Sequence, residues 1–202
     1  MNSAVLALED GTVFEGRSFG APVERTGEVV FNTAITGYQE VFTDPSYSGQ
    51  IVVLTYPQIG NYGANEGDSE AGKPHIEGLV VRDFSPLSSN WRADETAQEF
   101  LTKSGVPVIS DIDTRALVRH LRSRGVMRGV LSANQEKVDS KELVERARRS
   151  PSMAGLDLAT RVTTPERYAW DAGVIRCSPS DLEGTATEIR HHVVAYDFGI
   201  KR

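Results

Sequence analysis

Phe31–Gly63, FNTAITGYQEVFTDPSYSGQIVVLTYPQIGNYG, is short of charge and rich in Thr, Tyr, Asn, Gly and Pro. A run of this kind between two strand-like segments supplies hydroxyls, amides and special backbone positions together, so it reads as a surface built to present groups. Asp44-Pro45-Ser46 is its sharpest feature. Pro45 fixes its own φ and drives Asp44 out of the helical region, while the Asp44 carboxylate is placed to accept from backbone N–H groups just ahead. Ser46 then sits on a stiff turn. Gly49, Gly60 and Gly63 mark points of positive φ or close approach. The same residues also suit an ordered loop whose polar groups satisfy only one another.

Outward from this stretch, Glu28–Thr33 and Ile51–Tyr56 read as strands and Tyr38–Phe42 as a short helical turn. Ala4–Leu8 and Thr12–Phe14 flank Glu9-Asp10-Gly11, and an Asp-Gly pair between apolar runs predicts a hairpin with a primed turn. Glu77–Val81 and Val106–Ile109 are compact apolar runs suited to strands covered on both faces. Asp94–Ser104 predicts a helix that carries Ala97, Phe100 and Leu101 on one side and stops at Gly105.

Asp113 is placed to cap a helix starting at Thr114, with Leu117, Val118 and Leu121 facing inward. Val126–Ser132 follows as a strand. Asp139 and Glu142 have capping-box spacing, and Val138 with Leu143 that of a hydrophobic staple, so a helix runs from Ser140 to about Arg149. From Ser150 to Thr187 periodicity fades among Pro151, Pro165 and Pro179, predicting an irregular arm. His192–Phe198 regains strand character. The pattern is that of a mixed α/β domain.

Arg115, Arg119 and Arg122 share one helix face at i, i+4 and i+7 without an intervening acid, a spacing at which like charges repel. Two readings stand: a face that docks on an acidic surface, and a solvated basic face. The chain as a whole carries 22 Lys and Arg against 28 Asp and Glu, a net charge of −6, and gives no electrostatic case for nucleic acid. With 39% hydrophobic and 25% charged residues in 202, the composition is that of a globular protein.

Cys177 is the only cysteine. It excludes an internal disulfide and fits a reducing compartment, and its setting, Val174-Ile175-Arg176-Cys177-Ser178-Pro179, lacks the small-residue flanks of a strained nucleophile elbow. His191-His192 adjoins a strand-like run, where successive side chains point to opposite faces, and His75 and His120 are isolated; no metal site is expected. No GxGxxG or Walker-type loop is present. Without a signal-like or membrane-spanning run, the expected location is cytoplasmic, with no membrane partner.

Four stretches agree in order with one family: LALEDGTVFEGRSFG at 6–20, the stretch at 31–63, SDIDTRALVRHLRSRG at 110–125 and VVAYDFGIKR at 193–202. Together they resemble the amino-terminal domain of the carbamoyl-phosphate synthetase small subunit, and the resemblance spans essentially the whole chain. It implies a three-layer β/β/α domain of the swivelling type over 1–150, the arm over 151–190, and over 191–202 the first strand of a class I glutamine amidotransferase domain whose remainder is absent. The resemblance further implies that the full chain hydrolyses glutamine through a Cys with a His-Glu pair lying downstream. Ammonia then passes to a large subunit, which makes carbamoyl phosphate from bicarbonate and two ATP for pyrimidine and arginine biosynthesis.

On this resemblance Ser46 matches the amino-terminal-domain position that helps bind L-glutamine. No residue of these 202 is catalytic, and none holds a cofactor. ATP and Mg act on the large subunit, the partner in a heterodimer. The chain by itself is then expected to be inactive in glutamine hydrolysis. A stand-alone, non-catalytic binding or scaffold module with the same fold is the alternative.

Overall fold

The structure, a computed structural model, describes residues 3–134, 139–170 and 191–201. Nine strands and five α-helices are found among them: β1 Ser3–Leu8, β2 Val13–Gly20, β3 Glu24–Asn32, α1 Tyr38–Thr43, β4 Gln50–Leu54, β5 Gln58–Ile59, β6 Gly78–Val80, β7 Asp83–Phe84, α2 Ala97–Lys103, β8 Pro107–Ser110, α3 Thr114–Arg124, β9 Met127–Ser132, α4 Ser140–Arg149 and α5 Leu158–Val162. Single 3-10 turns occupy Pro45–Tyr47 and Glu66–Asp68. The expected mixed α/β class holds.

Seven strands close into a barrel in the order β1-β2-β8-β6-β4-β3-β9, and β5 with β7 forms a separate parallel ribbon. The β3-β4-β6-β8 arc is parallel, and the remaining pairs are antiparallel. Alternation along each strand sends one set of side chains inward. Leu6, Leu8, Val29, Ile51, Val53, Val80, Ile109 and Leu131 fill the interior, into which α3 lays Leu117 and Leu121.

The opposite faces of β4, β6 and β8, carrying Val52, Leu54, Leu79 and Val108, meet α1 through Phe42 and α2 through Ala97 and Leu101. A third layer forms where α4 covers Ala7 and Val130 with Leu143, Val144 and Ala147. The two apolar runs expected to be covered on both faces therefore are.

Asp113 Oδ1 accepts from Ala116 N–H at 2.9 Å, so the α3 cap forms as read from sequence. Helix α2 ends at Gly105, at φ 71°, and starts on a capping box between Thr96 and Glu99. Helix α4 has the expected bounds but not the box. Asp139 caps through Lys141 N–H, while the Glu142 carboxylate is drawn to Arg146 Nη2 at 2.5 Å, a stronger charge-assisted contact than the neutral backbone donor it would otherwise take. Val138, the other half of the expected staple, lies outside the described residues, as does Cys177.

The hairpin turn differs too. Gly11 N–H donates to Leu8 O and Leu8 N–H to Thr12 O, with Gly11 at φ 100° and Asp10 not left-handed, which is a bulged loop rather than a primed turn. Asp10 Oδ1 takes the Thr12 N–H at 2.9 Å, leaving the left-handed position to Gly11 alone.

Two expectations for the last third are corrected. The arm contains a helix, α5, capped by Asp157 through Thr160 N–H, in a stretch whose prolines had suggested none. Residues 192–198 are not a strand. Strand character is consummated only by a ladder partner, and no described strand lies beside them; Val193, Val194, Tyr196 and Phe198 are exposed. Among the described residues, no helix is long and apolar enough to cross a membrane.

Candidate functional site

Between α1 and β4 the chain makes the turn that Asp44-Pro45-Ser46 foreshadowed. Asp44 is extended, its Oδ1 accepts from Ser46 N–H at 2.8 Å, and Tyr47 and Ser48 donate back to the carbonyls of Asp44 and Pro45. Phe42 and Pro45 are buried beneath it, and Asn32 Nδ2 donates to Tyr47 Oη at 2.9 Å from β3. The turn is thus fastened from below at several points, and Ser46 stands exposed at its apex.

Residues Asp197–Lys201 lie along this turn. Lys201 Nζ meets Asp44 Oδ2 at 2.5 Å. Gly199, at φ 100°, packs so closely that a Cβ there would come 2.9 Å from Val162 Cγ2 and 3.2 Å from Pro45 Cβ. Asp197 Oδ1 accepts from the N–H groups of Gly199 and Ile200, both at 2.8 Å, while Tyr168 Oη donates to Asp197 Oδ2 at 2.6 Å.

Asp44 is 8% exposed. Burial alone pushes its carboxyl up, but Lys201 and then the Ser46 N–H outweigh that and hold it below the usual aspartate range. Nearby His75 is pushed down, chiefly by burial and then by Lys73.

The two ends of the same stretch meet in a cleft of about 220 Å³ lined by Thr36, Tyr38, Tyr56, Gln58, Asn61 and Tyr62. Tyr62 Oη accepts the N–H groups of Gly37 and Tyr38, each at 2.8 Å, and Tyr38 Oη donates to Gly63 O at 2.7 Å. Burial raises both phenols. Gln39, 1% exposed, joins α1 to the Glu66–Asp68 turn, with Oε1 accepting from Asn65 N–H and Nε2 donating to Asn65 O and Ser69 Oγ. One oxygen of Glu40 is buried without a hydrogen-bond partner, and desolvation, with Asp68 and Glu70 adding to it, raises that carboxyl.

Sequence reasoning found the turn on which Ser46 stands. It missed the pairing of Tyr38 with Tyr62 and of Asp44 with Lys201, each of which joins segments with no local relation; the tyrosines of Gly37-Tyr38 and Asn61-Tyr62-Gly63 were the available signal. Arg115, Arg119 and Arg122 are exposed, with no ion pair among the described residues, while His120 beside them turns to Asp10 Oδ2 at 2.7 Å. No three His, Cys, Asp or Glu converge as metal ligands among the described residues.

Residues 6–131 match the model of the carbamoyl-phosphate synthase small chain, CPSase domain. A carbamoyl phosphate synthase small chain of Syntrophotalea carbinolica is 51% identical over 199 residues, covering 98% of this chain and 52% of the relative. The small chain of Escherichia coli O6:H1 is 48% identical over 203 residues, covering 100% and 53%. The chain spans about half the length of the curated relatives it matches. Among solved structures, an aminopeptidase from Aneurinibacillus sp. strain AM-1 aligns with 67% of this chain and 31% of its own at 17% identity and TM-score 0.40, a likeness on which nothing rests.

Proposed function

The chain belongs to the carbamoyl-phosphate synthase small-chain family, and from that premise we propose that it is the part of a glutamine-dependent carbamoyl-phosphate synthase that docks on the large subunit and completes a glutamine site. In this reading 1–150 form the amino-terminal domain, of the family's swivelling β/β/α type; 151–190 form the arm; and 191–202 open the glutaminase domain. Glutamine hydrolysis belongs to the half of the relatives' length that this chain does not cover, so these 202 residues are inactive alone. The ammonia released there is consumed on the large subunit, with ATP, Mg and bicarbonate, in the cytoplasm.

One observation supports this reading above the others: Ser46 is exposed at the apex of a turn fixed from beneath, with Asp197–Lys201 fastened alongside. A hydroxyl held this way is preorganised to hydrogen-bond the charged end of an amino acid, and the domain opening beside it can supply the opposing wall. In the complete small chain paired with its large subunit, Ser46→Ala is expected to raise the glutamine KM about ten- to hundredfold, the worth of one hydrogen bond to a charged group. Ammonia-dependent synthesis should be unchanged. An unaltered glutamine KM overturns the assignment.

A further inference from the structure

A carboxylate that is nine-tenths buried needs partners to stay charged, and Asp44 has two that face different ways. Its Oδ1 holds the Ser46 N–H at 2.8 Å, inside the turn; its Oδ2 holds Lys201 Nζ at 2.5 Å, outside it. The segment bearing Lys201 is itself set, with Asp197 closing a turn over the Gly199 and Ile200 N–H groups and taking the Tyr168 hydroxyl, and with Thr164 N–H donating to the Asp197 carbonyl at 3.3 Å. Gly199 sits between Pro45 and Val162 with no room for a side chain. Glu70 adds to the negative surroundings of the ammonium.

We propose that Asp44 is a positioning residue, which fixes the apex of the Ser46 turn with one oxygen and registers the Asp197–Lys201 segment against it with the other. It touches no ligand itself. This rests on the reading of Ser46 as a glutamine contact: the wall opening at Asp197 is then held at a set distance from the Ser46 hydroxyl, and loosening it costs glutamine affinity without harming the chemistry downstream of ammonia.

The two oxygens can be tested apart. Asp44→Asn keeps an acceptor for Ser46 N–H and loses the ammonium; Lys201→Met does the same from the other side; Asp44→Ala loses both. On the 202-residue chain, amide exchange should rise at least fivefold at Thr164, Gly199 and Ile200 in Asp44→Asn and Lys201→Met, and at Ser46 as well only in Asp44→Ala. Exchange at Gly199 and Ile200 that is unchanged in Asp44→Asn and Lys201→Met overturns the registering role. In the complete two-subunit enzyme, Lys201→Met should raise the glutamine KM three- to tenfold with ammonia-dependent turnover intact, and Lys201→Arg should restore it. If Ser46→Ala alters the glutamine KM and Lys201→Met does not, the positioning role fails; if Ser46→Ala alters nothing, the glutamine assignment fails while the exchange result still decides the clasp.

Discussion

The rings of Tyr38 and Tyr62 lie 3.9 Å apart between centroids and 15° from parallel, and Tyr62 N–H donates to the Tyr38 hydroxyl at 3.2 Å. With the bonds from Gly37 and Tyr38 N–H to the Tyr62 hydroxyl, this stack joins the entry to α1 to the loop after β5. The polar stretch that looked like a presenting surface is therefore held at its start by aromatic contact and at its middle by Pro45.

Tyr62→Phe preserves the stack and deletes the acceptor for two backbone donors. Leaving them unpaired should cost about 2–4 kcal/mol in unfolding free energy, at the sum of typical penalties for such groups. Denaturant titration should show a lower midpoint at an unaltered slope; a loss under about 0.5 kcal/mol would mean that water replaces the phenol.

Glu40 offers a pH test. Its carboxyl is raised by burial, with Asp68 and Glu70 adding to the shift and Arg92 opposing it. A group whose folded-state pKa lies above its unfolded value costs stability as pH climbs through that unfolded value, and the whole cost is present above the folded one. Glu40→Gln should therefore stabilise the fold at pH 7, by roughly 0.5–1 kcal/mol, and leave it unchanged near pH 3. Thermal unfolding at the two pH values checks this, and a loss at pH 7 would point to a cation held by Glu40.

On α3, Arg119 stands between Arg115 and Arg122, and Arg119→Glu turns two repulsive spacings into attractive ones. The fold should gain about 0.5 kcal/mol at low salt, and the gain should shrink as salt is added. The same variant separates the two readings of this face: weaker association with the large subunit at low salt supports docking, and unchanged association leaves it a solvated face.

How much of this was legible in the sequence depends on range. The Asp113 cap, the Gly105 stop and the bounds of α4 are decided within one turn of helix, and all three were readable. Barrel closure was not. It rests on β2 running on through Glu15, Arg17 and Ser18 to reach β8, residues whose polarity hides a strand that is covered on only part of its surface. The stretch at 192–198 misled in the opposite direction, because a short apolar run specifies a tendency and only a neighbouring strand realises it.

At the site, the stiffness of Asp44-Pro45-Ser46 followed from Pro45 and the Asp44 carboxylate, both local, and Ser46 is exposed. What sits beside the turn did not follow. Lys201 comes from the far end of the chain, and no local rule pairs it with Asp44.

A ring of strands has no rim on which a foreign strand can zip. Fibre growth by stacking sheet on sheet, the usual route to insolubility for a β-rich protein, has no foothold on the barrel. It would begin instead at Val193–Phe198, where bare apolar side chains meet water, so whatever shelters that run governs how concentrated this protein can become before it clumps.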